Sequence, residues 1–126
     1  MPDRHAAGEK IRRRVLGDAH VDAALARSGD FDSAFQSLIP ESAWGSVWAR
    51  ETISLRERSM LTLALLAANG NFEEFAMHLR ATANTGASVD DVMEVILHVA
   101  VYAGLPRANH AIRIARETYA EMGVDL

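Results

Sequence analysis

The chain has 126 residues, a length that fits one domain, and its 13 Lys and Arg against 17 Asp and Glu give a net charge of −4, with no overall attraction for nucleic acid. Apolar residues make up 49% and charged residues 24%, which argues against a disordered chain, and no apolar run approaches the ~20 residues of a membrane span. The absence of cysteine excludes disulfide scaffolds, thiolate catalysis and thiolate-bound metals. Aromatics are only 6%, so the core must be aliphatic and alanine-rich. Alanine-rich helices bury little area each, and such chains gain the rest by oligomerising. The opening MPDRHAAGEK contains no hydrophobic signal region, so the cytoplasm is the expected location.

In chain order, Arg4 to Leu16 reads as a helix stopped by Gly17, with Asp18 as the N-cap of a short helix through Arg27. The N-terminal arm gathers Arg4, Lys10, Arg12, Arg13 and Arg14, either a solvated or partner-contacting face or a basic arm that draws in an anion. Ser28-Gly29 breaks the chain, and Asp30 can cap a segment through Ile39 before Pro40. Trp44 and Trp48 share one face of a further short helix, a spacing that suits core or interface better than a ligand platform. Ser54-Leu55-Arg56-Glu57 matches a capping box and opens a helix through Ala68 that is apolar on nearly every side, hence expected to be central. Asn69-Gly70-Asn71 is a turn, and Phe72 to Thr85 forms the next helix, closed by Gly86. Ser88 and Asp91 repeat the capping logic for a helix through Tyr102; Gly104-Leu105-Pro106 breaks it, and a last helix runs to Met122. No strand-like alternation of useful length occurs. The reading is a single all-α domain over residues 1–126.

Polar groups placed inside these apolar helices are either a satisfied structural network or a site. Asn71, Glu74 and His78 fall on one helix face, and Arg58 and Ser59 stand on the preceding helix across the tight turn. A carboxylate one turn from an imidazole can hold its tautomer, raise its pKa and form a proton-transfer pair, or it can be a plain structural hydrogen bond. Glu94 and His98 repeat the spacing, with His98 and Tyr102 expected to pack. Di-iron bundle sites use Glu-x-x-His and further glutamates, which neither pair matches, so no metal is expected. Nucleotide loops and nucleophile elbows are missing as well.

Several blocks together resemble a known family: Val15-Leu16-Gly17-Asp18-Ala19-His20-Val21-Asp22; Ala43-Trp44-Gly45 with Trp48 and Arg50; Arg56 with Arg58-Ser59; His78-Leu79-Arg80-Ala81; and Tyr102-Ala103-Gly104 with Pro106. They look like the 4-carboxymuconolactone decarboxylase family, within the superfamily of alkyl hydroperoxidase D. The superfamily's glutamate, Cys-x-x-Cys and histidine positions fall at Ser59, Asn71, Glu74 and His78, and only the histidine survives. The loss of both thiols removes peroxidase or disulfide-reductase activity and favours the decarboxylase branch.

The resemblance implies a helical bundle of the alkyl hydroperoxidase D type, assembled as a homo-oligomer (trimer or hexamer), without cofactor, nucleic acid or membrane partner. It implies a small dicarboxylate lactone as substrate and the β-ketoadipate route of aromatic breakdown as setting. His78 is then the expected proton donor, oriented by Glu74, with His20 as a second candidate. Ser59 or His78 would stabilise the developing oxyanion, and Arg58 and Arg80 would bind the substrate carboxylates. Two alternatives stay open: a related enzyme for another lactone or carboxylate, and a non-catalytic oligomeric binding module.

Overall fold

A computed structural model describes residues 3–126; Met1 and Pro2, the first residues of the N-terminal segment, lie outside the described residues. All regular structure described is helical, as the sequence patterning requires, and the chain forms two compact units, Met1–Leu55 and Arg56–Leu126. Among the described residues no helix is long and apolar enough to cross a membrane.

The first unit holds α1 (Arg4–Leu16), α2 (Asp18–Ala26), α3 (Ser33–Ile39) and a π-helical stretch (Pro40–Trp48). Gly17, at φ 92°, ends α1 in a conformation that penalises a Cβ. The cap of α2 is therefore Gly17, and Asp18 is its first helical residue. The Asp18 carboxylate has another task. Arg13 donates to Glu9 at 3.0 Å, Asp18 at 3.1 Å and Asp22 at 2.9 Å, tying α2 back onto α1. Hydrogen bonds donated to Asp22, Asp18 and Glu9 hold the Arg13 guanidinium well above its ordinary pKa. The start of α3 also differs from expectation. Asp32 occupies the N-cap position in place of Asp30, and its carboxylate turns back to accept the Gly29 N–H at 2.8 Å.

The expected short helix around the tryptophans is π-helical for a local reason. Pro40 has no N–H to continue the α-helical ladder. Farther along, Ala49 N–H reaches Trp44 O at 2.8 Å, and Ser46 Oγ donates five residues back to Glu41 O at 2.8 Å. Trp44 and Trp48 are buried with ring centroids 5.0 Å apart. α1 crosses this stretch at glycine. A Cβ on Gly8 would stand 1.8 Å from Pro40 O, and one on Gly45 would stand 2.2 Å from Arg4 O.

The second unit holds most of α4 (Leu55–Ala68), then α5 (Phe72–Arg80), α6 (Thr82–Thr85), α7 (Val89–Ala103) and α8 (Leu105–Glu121). The single helix expected from Phe72 to Thr85 is interrupted at Ala81, where Thr82 Oγ1 donates to Leu79 O at 2.6 Å. Such local bonds let threonine compete with the helical ladder. The capping box at α7 forms as read: Asp91 N–H to Ser88 Oγ at 3.0 Å and Ser88 N–H to Asp91 Oδ2 at 2.9 Å. The Asp91 carboxylate also receives Arg56 Nε at 2.7 Å and Nη2 at 2.5 Å, fastening the start of α4 to the start of α7.

The core consists of Leu63 and Ala67 on α4, Phe75 and Leu79 on α5, Val92, Val95, Ile96 and Val99 on α7, and the alanine ridge Ala108, Ala111, Ala115 with Tyr119 on α8. Small residues on α8 let the larger side chains of its neighbours approach closely. α4 is less central than its composition suggests. Leu63 is fully buried, while Leu61 and Leu65 are 56% and 63% exposed, because the core occupies only one side of the helix.

Candidate active site

α5 positions the histidine. Phe75, His78 and Leu79 are its buried residues, a spacing of three and four that aims one stripe inward. His78 is therefore held in an apolar interior, 7% exposed. Glu74, one turn earlier, is exposed. A spacing of four brings two side chains near each other only if both rotamers choose it. Asn71 is likewise exposed, at the N-cap of α5.

On α4, Ser59 is fully buried, and its Oγ has no hydrogen-bond partner among the described residues. A buried hydroxyl left in that state costs roughly 1–3 kcal/mol. Arg58 is half-buried beside it in sequence. Arg80 faces away from His78 and pairs with Glu121 at 3.3 Å, both side chains more than half exposed. That pair edges a groove of about 500 Å³ that also includes Phe72, Glu73, His110 and Glu117. Within it His110 stacks on Phe72, with centroids 3.8 Å apart, and shares a 2.7 Å hydrogen bond with Arg113. His110 is not among the sequence candidates, since its partner Phe72 lies on a different helix and no spacing signals it. His20, on α2 in the first unit, is half-buried.

The second Glu–His spacing resolves into backbone chemistry. His98 Nδ1 lies 3.1 Å from the Glu94 carbonyl oxygen, and the ring stacks near Tyr102 at 6.4 Å. All three residues are exposed. Among the described residues no group of three or more His, Asp or Glu side chains is placed to hold a metal ion. The interior of the second unit thus holds the His78 imidazole and the Ser59 hydroxyl among its buried polar groups. Such groups can deliver a proton and a hydrogen bond to a molecule that carries its own negative charge.

The family model described as carboxymuconolactone decarboxylase matches residues 33–117, more than half of the chain. The chain belongs to this family. Among carboxymuconolactone decarboxylase family relatives, a 4-carboxymuconolactone decarboxylase of Acinetobacter baylyi is 41% identical over 121 residues, covering 96% of this chain and 90% of that protein. A nitrosuccinic acid decarboxylase of Metarhizium robertsii is 36% identical over 115 residues, covering 91% of this chain and 80% of that protein. A 4-carboxymuconolactone decarboxylase sequence of Pseudomonas putida is 50% identical over 42 residues, which is 33% of this chain and 88% of that sequence.

Proposed function

We propose that the protein is a cofactor-independent carboxy-lyase that converts 4-carboxymuconolactone to the enol-lactone of 3-oxoadipate in protocatechuate breakdown. The observation that carries this reading is the 41% identity, over 96% of the chain, to a protein named for that reaction. In the lactone, one carboxylate sits on the ring carbon γ to the carbonyl and is conjugated with it through a C=C bond. Cleavage of the C–CO2 bond sends its electron pair through that bond onto the carbonyl oxygen, giving a dienolate. Protonation at the α carbon then yields the enol-lactone. The substrate is its own electron sink, so the protein needs to supply binding, oxyanion stabilisation and a proton.

His78 is our choice for the proton donor, a contribution typically of about 10²–10⁴-fold. Ser59 is the choice for a hydrogen bond to the developing oxyanion, since its buried hydroxyl has a donor to give; one such donor contributes about 3–4 kcal/mol. Arg58 and Arg80 are the candidate carboxylate ligands, Arg80 from an exposed pair with Glu121, and Glu74 is the candidate for orienting His78. His20 is kept as a second acid. We further propose a single functional domain acting as a homo-oligomer, a trimer or hexamer of the alkyl hydroperoxidase D type, supported by the exposed apolar side chains of α4 and α7.

A second reading is favoured by the fungal relative. Nitrosuccinic acid also carries an electron-withdrawing group able to receive the electrons of a departing carboxylate. The catalytic logic transfers unchanged, and this chain would act on a different internally activated acid. The test is CO2 release from 4-carboxymuconolactone, generated in situ from 3-carboxymuconate, beside release from nitrosuccinate, each with and without a chelator. Chelator-insensitive release from the lactone is the expected result. Release from nitrosuccinate alone selects the second reading, and release from neither rejects both.

A further inference from the structure

The start of α7 and the end of α8 flank a cavity of about 200 Å³ that lies wholly within the second unit. Its floor is the buried core itself, Val92 and Ile96 of α7 with Ala115 and Tyr119 of α8. The short Ala115 side chain leaves open a space that a longer residue on α8 would fill. Val89, Met93 and Ile112 form the rim. Leu126 closes the remaining side. Gly123, at φ 73°, ends α8 in the left-handed conformation, and Val124 N–H returns to Tyr119 O at 2.9 Å. That reversal turns the last residues back toward the cavity.

Among the described residues that line it, Arg116 alone carries a charged side chain. Arg113, three residues earlier, is occupied: it reaches His110 at 2.7 Å and Glu117 at 3.8 Å. Arg116 has no such tie among the described residues. The cavity therefore joins an apolar interior to one guanidinium that no carboxylate of the unit engages. An apolar cavity of this size is poorly hydrated and gains by taking up an apolar body about as large as one ring. The guanidinium adds a planar fork that matches a carboxylate. A purely apolar molecule would leave that fork unused. A dianion such as the lactone of the proposed reaction would press its second carboxylate against apolar walls, which is costly.

We propose that this cavity binds a small apolar monocarboxylic acid, its ring or short branched chain inside and its carboxylate on Arg116. Neither His78 nor Ser59 lines the cavity, and the inference goes beyond the proposed reaction without depending on it.

The experiment uses the full chain, with benzoate and its neutral isostere benzamide as probes. Calorimetry gives both Kd values, and methyl NMR follows the Met93 signal, assigned through Met93→Leu. Benzoate is expected to bind saturably, to shift the Met93 methyl signal, and to bind at least about tenfold tighter than benzamide. Arg116→Gln, at an exposed position, should keep the wild-type melting temperature and reduce benzoate to the affinity of benzamide. Equal Kd values for the two probes overturn the proposal, as does unchanged benzoate affinity in Arg116→Gln. Absence of saturable benzoate binding to the wild type overturns it as well. Saturable binding that leaves the Met93 signal in place puts the probe elsewhere and has the same consequence. Should Arg116→Gln fail to fold, Arg116→Lys keeps the charge but loses the fork and must bind benzoate more weakly; wild-type affinity there rejects the site. Calorimetry and NMR need no turnover, so these outcomes are read independently of whether the lactone is the substrate.

Discussion

Ser59 and Asp91 show how differently two polar side chains can be used within one helical unit. The Ser59 hydroxyl is buried without a partner, so Ser59→Ala removes an unsatisfied donor. Stability should hold or rise by up to about 1 kcal/mol. Under the proposed mechanism kcat should nevertheless fall about 10²-fold. A thermal melt and a turnover assay on the same preparation read both, and a melt that drops with kcat intact removes Ser59 from the site. His78→Ala should lower kcat at least about 10²-fold, and intact turnover would dismiss the proton-donor assignment. Asp91 is saturated with donors. Hydrogen bonds from Arg56 first, then from Ser88, hold its carboxyl well below the usual carboxylate range. A depressed folded-state pKa means that this contribution is complete above the unfolded value of about 4 and is lost as pH falls below it. Urea midpoints of wild type and Asp91→Asn should therefore differ at pH 7 and converge toward pH 2. A gap that persists at low pH would assign the loss to packing.

The contacts between elements decide features that local patterning leaves open. α1 and the π-helical stretch cross backbone to backbone at Gly8 and Gly45, where any Cβ collides with carbonyl oxygens rather than with movable side chains. Gly8→Ala and Gly45→Ala should each destabilise the protein by about 1–3 kcal/mol or more, despite the better helix propensity of alanine. Denaturant titration checks this, and neutral variants would show that the two segments can separate freely. The same crossing explains why the tryptophans were legible as a buried pair although their π-helical geometry was not. Their shared face follows from spacing, but the widened turn depends on Pro40 and on what α1 presses against. The break at Ala81 is similar. Periodicity ran on to Thr85, and only the Thr82 bond to the Leu79 carbonyl marks the interruption.

At the scale of the whole molecule, the apolar surface is the clearest unfinished feature. Leu61 and Leu65 on α4, Leu97, Val101 and Tyr102 on α7, and Leu105 at the start of α8 are 50–85% exposed. Large exposed apolar side chains of this number are characteristic of surfaces covered by another chain. Val101→Glu should lower the mass of the assembly measured by light scattering while leaving helical content unchanged. An unaltered mass would move the interface elsewhere.

The sequence by itself determined the helical class, the breaks at Gly17, Gly86 and Gly104, the α7 capping box and the family, because caps, glycines and apolar spacing act over a few residues. It also selected His78 and Ser59 as polar groups within apolar helices, and both are buried. It paired His78 with Glu74 from spacing, whereas the fold leaves Glu74 in solvent and commits Arg80 to Glu121. Nor could it separate Arg12 from Arg13, neighbours of equal charge on one helix. Only the tertiary structure turned the first toward the interior and the second toward three carboxylates. The difference is physical: which neighbour removes water from a side chain, and which supplies it with a partner, is decided by segments distant in the chain.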